Sequence, residues 1–275
     1  ESGNHFKHIK ICLENNKNVI VEKPPVLKVD QLIYLNKLAT KRKLKLYTIF
    51  QNRENKSVRY LKKILNKKEK IIFANLSLIW SRDQNYYSDW HGNWKMDGGV
   101  LAQQGIHYID LLNYLLGKPI KCISTISNKS NKLEAEDTHS SLISYNKNIS
   151  CTLNLSTAFR PRDFEASIKI YCDNKIYILY GLCCNKIKIF DLKKNKLKII
   201  KEQSENVPNG YGISHKYVLQ NIIDSKLKKK NKHIKPLKVI DTLDTIKLLN
   251  MMYKSVEKNR WVNSKEKNII SKLGN

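Results

Sequence analysis

Asp97-Gly98-Gly99-Val100-Leu101-Ala102-Gln103-Gln104-Gly105-Ile106-His107-Tyr108-Ile109-Asp110-Leu111-Leu112-Asn113-Tyr114-Leu115-Leu116-Gly117 is the stretch on which the reading of this chain turns. Its spacing predicts one amphipathic helix. Asp97 is placed to cap the start, Gly98-Gly99 lets a ligand or another backbone approach closely, and Gly117 suits a left-handed stop. Leu101, Gly105, Tyr108, Leu112 and Leu115 recur at threes and fours and make an apolar stripe. Gln103, His107, Asp110 and Tyr114 make a second, polar stripe. A buried helix aims such a stripe at water, a partner or a ligand. A single histidine there is more often a hydrogen-bonded core residue, so the rest of the chain must decide its role.

Upstream, Asn18-Val19-Ile20-Val21 reads as a short buried strand between helices at 4–15 and 28–41, and Leu46-Tyr47-Thr48-Ile49-Phe50 as the next strand. This is a βαβ pattern, and open parallel sheets bind ligands beyond the carboxyl ends of their strands. Lys23 and Gln51-Asn52-Arg53 stand at such ends. A helix at 55–66 and a strand from Ile71 to Trp80 follow, then the loop Trp80–Trp94, which holds three of the four tryptophans. Packed loop and sugar- or nucleotide-contacting loop are equally good readings of it. Downstream, strands recur at 119–126, 137–146, 149–158, 164–172, 175–180 and 185–190, predicting a predominantly antiparallel sheet with the quoted helix on one face. Residues 212–225 and 237–258 read as closing helices, and the Lys-rich pieces 191–206 and 226–236 as exposed loops.

The chain has 275 residues and a formal charge of +27. The excess is lysine spread along the whole chain, without aromatic residues interleaved in its densest run, Lys226–Lys232. That argues for solvated faces rather than a specific nucleic-acid surface. No apolar run is long enough to span a bilayer. Six scattered cysteines without a Cys-x-x-Cys pair suit free thiols in a cytoplasmic protein and suggest no metal site. Arginine is scarce, which draws attention to Arg53, Arg82, Arg160 and Arg162, where a bidentate fork has a use.

Val21-Glu22-Lys23-Pro24 after a strand, Gly98-Gly99, and Gly105-x-His107-x-x-Asp110, in this order, resemble the Gfo/Idh/MocA oxidoreductase family. The resemblance covers essentially the whole chain. It implies an α/β plus α+β protein: the C-terminal part of a Rossmann domain at 1–54, then a predominantly antiparallel open-faced sheet domain with packed helices at 55–275, whose last helices can return to the first part. Trp80-x-Arg82-x-Gln84-x-Tyr86-Tyr87, Trp90-x-Gly92-x-Trp94, Arg160-Pro161-Arg162-Asp163-Phe164 and Gly212-Ile213-Ser214-His215 resemble the branch that oxidises UDP-N-acetylglucosaminuronate at C3. Gln103 stands where most of the family carries aspartate, a departure this branch shares. The family's Gly-rich phosphate turn has no counterpart here, so the resemblance implies an N-terminally shortened chain lacking about 70 residues of the dinucleotide fold. Two consequences are expected of residues 1–275: little NAD affinity, and an apolar edge beside Val19-Ile20-Val21.

The resemblance implies NAD or NADP as hydride acceptor, a nucleotide-sugar substrate, and a homodimer or homotetramer. Oxidising a secondary alcohol also needs a base and a held ring. His107 is read as base or proton relay, titrating near neutrality, and Lys23 as the orienting group with a lowered pKa, roles that can be exchanged. Gln103 is a positioner, and Asp110 fixes the imidazole. Ser2, Asn4, His5, Glu22, Lys23, Gln51, Trp80 and Arg82 are the expected cofactor contacts. Arg53, Gln84, Tyr86, Gln103, His107, Arg160, Arg162 and His215 are the expected substrate contacts, with Arg160 and Arg162 for the diphosphate and carboxylate. Competing readings are a dehydrogenase of a free sugar or inositol, and a non-catalytic ligand-sensing relative.

Overall fold

A computed structural model describes residues 1–66, 69–227 and 235–275. Helix α1 (His5–Glu14) leads to strand β1 (Val19–Val21), α2 (Val29–Lys41) and β2 (Leu46–Thr48). The two strands pair in parallel, Val19 with Leu46 through Val21 with Thr48. Ile9 and Leu13 of α1, and Leu32, Leu35 and Ala39 of α2, recur at helical spacing and are buried. Among the described residues β1 has no second neighbour, and Ile20 is 47% exposed, so the expected apolar edge is present.

After α3 (Lys56–Leu65) the chain builds a nine-stranded sheet from β3 (Ile71–Ile79), β4 (Pro119–Ser127), β5 (Thr138–Tyr145), β6 (Ile149–Ser156), β7 (Glu165–Cys172), β8 (Lys175–Tyr180), β9 (Lys186–Asp191), β10 (Lys196–Ile199) and β11 (Val262–Asn263). The spatial order is β10-β9-β8-β7-β3-β6-β5-β4-β11. Every pairing is antiparallel except β3 with β6. That exception follows from topology: β3 arrives first and is later flanked by β6 and β7, which run in opposite directions. Alternation along β6 puts Ile149, Cys151, Leu153 and Leu155 inside and Ser150, Thr152 and Asn154 outside. One sheet face is thus covered by helices and the other is open.

Three sequence expectations change. The piece 191–206 is not all loop, because Lys196–Ile199 adds an exposed edge strand to β9. The single helix from Asp97 becomes a π-helical turn, Leu101–Gly105, followed by α4, Ile106–Leu116. Asp97 does not cap it, for its carboxylate accepts from the Gly92 N–H at 2.8 Å. Gly117 ends α4 at φ +105°, a value only glycine takes freely. Residues 228–234, within the predicted Lys-rich loop, lie outside the described residues.

The closing helices α5 (His215–Lys226) and α6 (Leu243–Lys258) tie the two parts together. Asn250 of α6 donates to the Leu27 carbonyl at 2.9 Å, and Thr48 of β2 donates to the Leu237 carbonyl at 3.0 Å. Contacts across residue 54 therefore come from α6 and its approach as well as from the quoted helix.

Candidate active site

The carboxyl end of β1 delivers Lys23, and the turn after β2 delivers Gln51. The π turn and α4 deliver Gln103, Gln104 and His107. These meet Trp80 and Arg82 from the end of β3, and Tyr86, around one cavity of about 150 Å³. Asp163, Asn209, Gly210 and Tyr211 complete its wall.

Lys23 extends its ammonium to the Gln103 carbonyl oxygen at 2.7 Å and to the Gln103 side-chain oxygen at 3.3 Å. Burial pulls its pKa down to about 8, against the pull of Glu22 and Asp97. His107 packs against the edge of Phe50, with ring centroids 6.3 Å apart, and its Nδ1 has no partner. Burial, and then the positive charges of Lys23 and His215, push His107 well below its ordinary value. The imidazole is neutral at physiological pH, which corrects the expectation that it titrates near neutrality. Gln51 Oε1, Gln104 Oε1 and Trp80 Nε1 are likewise buried without partners, so this cavity wall presents unused donors and acceptors.

Arg82 is held rather than free. Its guanidinium lies 5.1 Å from the Trp80 ring and 5.4 Å from the Tyr86 ring, and donates to Asp163 at 2.8 Å. Beyond this wall lies an open annex of about 600 Å³ that shares Arg82, Tyr86, Asp163, Asn209 and Gly210 with the cavity and adds Arg160 and Arg162. Arg160 is engaged with the carbonyls of Thr157 and Phe159 and with Asn131. Arg162 is exposed and has no hydrogen bond or ion pair among the described residues.

Other expected residues go elsewhere. Arg53 makes two bonds of 2.6 Å to Asp110, which also accepts from Thr245 at 2.9 Å. A fully buried carboxylate needs a cation, so Asp110 takes Arg53 and does not orient His107. Neither residue lines the cavity. Gln84 turns to the main chain of Lys132, accepting at 2.8 Å and donating at 3.2 Å. His215 lies 3.6 Å from Glu22, and both stand outside the cavity lining. His5 meets the Pro24 carbonyl at 2.7 Å, Asn4 turns to Glu1, and Ser2 is buried. Sequence reasoning does not single out Gln104, Asp163, Asn209, Gly210 or Tyr211 as site residues. Only Asn209-Gly210 carries a local signal, and that signal is merely a turn.

Two family models match this chain. The model for the C-terminal alpha/beta domain of the Gfo/Idh/MocA oxidoreductase family matches residues 67–263. The chain belongs to that family. Residues 1–50 match its NAD-binding Rossmann fold. An uncharacterized oxidoreductase of Synechocystis is 25% identical over 172 residues, which take in 56% of this chain and 46% of that protein; the chain thus matches about half the length of this curated relative. Among solved structures, the WlbA dehydrogenase of Chromobacterium violaceum, in complex with NADH and UDP-GlcNAcA, is 25% identical with a TM-score of 0.82, covering 95% of this chain and 75% of that one. The Bordetella pertussis WlbA dehydrogenase, with the same two ligands, is 22% identical with a TM-score of 0.80, covering 95% and 76%. UDP-N-acetylglucosamine 3-dehydrogenase GnnA of Acidithiobacillus ferrooxidans shares the fold at 13% identity, with a TM-score of 0.75 and coverage of 94% and 76%.

Proposed function

We propose that this protein is an NAD(P)-dependent oxidoreductase that oxidises the C3 hydroxyl of a UDP-N-acetylhexosaminuronate to the ketone, a step suited to surface polysaccharide synthesis. The observation that carries this reading is the convergence of Lys23 and His107 on one cavity whose polar wall atoms lack partners. Nicotinamide fits the same place. The cavity lies beyond the carboxyl ends of two parallel strands, where such sheets bind dinucleotides, and Gln51 and Trp80 offer a buried acceptor and a buried donor without partners. Bound there, the cofactor supplies a hydride acceptor.

The chain's own residues do the rest. Lys23 is already held by the two oxygens of Gln103 and has a proton left to donate to the reacting hydroxyl oxygen. Neutral His107, with Nδ1 unpartnered, takes the hydroxyl proton. Gln103 fixes the ammonium without competing for that proton, because an amide does not ionise. Arg162 supplies the free cation of the annex for the substrate's diphosphate or carboxylate, whereas Arg82 is already neutralised by Asp163.

The test is calorimetric titration of residues 1–275 with UDP-N-acetylglucosaminuronate and with myo-inositol, followed by assay of NADH formation from NAD with each. Saturable binding and turnover of the nucleotide sugar alone support the reading. Turnover of inositol with indifference to the nucleotide sugar overturns the substrate assignment.

A further inference from the structure

The segment Pro208–Gly212 borders both cavities. Asn209, Gly210 and Tyr211 line the one that holds Lys23 and His107, while Pro208, Asn209 and Gly210 line the annex that holds Arg160 and Arg162. Its backbone folds into a local turn. The Tyr211 N–H donates to Asn209 Oδ1 at 3.0 Å, and the Gly212 N–H to the Asn209 carbonyl at 3.2 Å. Two residues further on, buried Ser214 donates to Asn55 Oδ1 at 2.8 Å. Gly210 lies flat on Trp80, for a Cβ built there would fall 2.8 and 2.9 Å from two indole carbons. Any side chain at 210 would lift the segment off the ring.

Tyr211 is 74% exposed, more than any other large apolar or aromatic side chain among the described residues. The other rings of the cavity wall are engaged: Trp80 and Tyr86 flank Arg82, and Trp80 also meets Tyr108 edge-on. Among the described residues no ring or cation stacks on Tyr211. A local turn seated on the Trp80 indole that holds an unused aromatic face at the mouth of the cavity costs little entropy on binding, since tyrosine has only two χ angles to fix. A sugar ring offers the matching surface, an apolar C–H face between its hydroxyls.

We propose that Tyr211 is a specificity-determining residue whose ring covers the apolar face of the sugar presented to Lys23 and His107, with Gly210 as the seat that keeps this strap against Trp80. The inference rests on the alcohol-oxidising reading above and adds a residue to its substrate contacts. It explains why the strap carries a bare aromatic ring between two glycines: Gly210 is required by the indole, and Gly212 by its φ of +69°.

The test is calorimetric titration of the 275-residue chain and its Tyr211→Ala, Tyr211→Phe and Gly210→Ala variants with UDP-N-acetylglucosaminuronate, UDP and myo-inositol. Tyr211→Ala is expected to weaken nucleotide-sugar binding about tenfold, the size of a lost aromatic stacking contact. Tyr211→Phe stays within about twofold, because the ring and not the hydroxyl is used. Gly210→Ala weakens binding as Tyr211→Ala does, and UDP alone binds all variants equally. Tyr211 is exposed, so its replacement leaves the fold intact, which far-UV circular dichroism checks. Nucleotide-sugar binding by Tyr211→Ala at wild-type strength overturns the strap assignment and leaves the proposed function standing. Binding of inositol but not of the nucleotide sugar, weakened by Tyr211→Ala, keeps the strap and overturns the nucleotide-sugar reading.

Discussion

The ammonium of Lys23 donates to the main-chain oxygen of Gln103 at 2.7 Å, joining the end of a strand to a helical turn 80 residues away. The turn that accepts it is π-helical, a widened form that recurs at functional sites. Asparagine or serine at 103 would lose the second contact, that of Lys23 with Gln103 Oε1 at 3.3 Å, and keep the first. Gln103→Ser is therefore expected to reduce kcat by about tenfold while leaving substrate affinity close to wild type. Steady-state kinetics separates the two.

Removal of the proposed proton acceptor is more severe. His107→Ala is expected to lower kcat by about 10²–10⁴-fold with a small change in substrate Kd. Lys23→Met, which keeps the stem and removes the donor, gives a loss of similar order. Single-turnover measurements of hydride transfer check both.

The pH profile distinguishes the roles of the two groups. Lys23 titrates at about 8, so a step that needs its ammonium slows as pH rises through that value. His107 lies well below its ordinary value and stays an effective acceptor through neutrality and into mild acid. Activity is thus flat near neutrality with an alkaline fall. Asp97 is itself held protonated up to about pH 8, so Asp97→Asn removes a charge only on the alkaline side and leaves the profile near neutrality unchanged. A rate that climbs through pH 8 instead would assign the base to Lys23.

Arg53 and Asp110 form a structural pair. Asp110 is fully buried, and Arg53→Ala strands its charge, at a cost of about 3–5 kcal/mol in denaturant unfolding. Substrate affinity in the folded fraction stays unchanged, because neither residue lines the cavity.

Two buried carboxyls give stability its own pH dependence. Burial raises both Asp97 and Glu136 to about 8. In the unfolded chain these groups ionise near 4, so between about pH 4 and 8 the folded state binds more protons and stability falls as pH rises. For Glu136, with its ordinary value at 4.5, the loss is at most roughly 5 kcal/mol by pH 8. Glu136→Gln keeps an acceptor for Leu101 and Tyr253 and is expected to flatten this slope in urea titrations at several pH values.

Arg162→Ala tests the annex. Loss of its free guanidinium is expected to raise the KM for the nucleotide sugar about tenfold or more, with a steeper effect at low salt. Arg160→Ala does less, since its guanidinium is already spent on backbone carbonyls and Asn131.

Much of this was legible in the residues. Period-two alternation located β4 to β9, and the βαβ pattern placed Lys23 and Gln51 at strand ends, because side-chain periodicity is a local property of the backbone. The apolar stripe Leu101, Gly105, Tyr108, Leu112 and Leu115 is indeed buried. What failed were inferences about partners. Asp110 and His107 share a helical stripe, yet Asp110 answers to Arg53 across the fold. Gln84 and His215 carry suitable chemistry but spend it on neighbours outside the cavity. Exposed β10 escaped notice because lysines alternate with its Leu and Ile on an edge that no core requires.

The sequence by itself determined β1 to β9, the helix that carries Gln103 and His107, the family, and the residue types capable of moving a proton. Only tertiary structure decided which of them meet. Hydrogen bonding and burial are short-ranged: an ammonium senses the oxygens within about 3 Å of it, wherever they lie along the chain. Hence the lowered pKa of Lys23, the neutrality of His107, the capture of Arg53 by Asp110 and the bare ring of Tyr211 beside them were all settled by packing between distant segments.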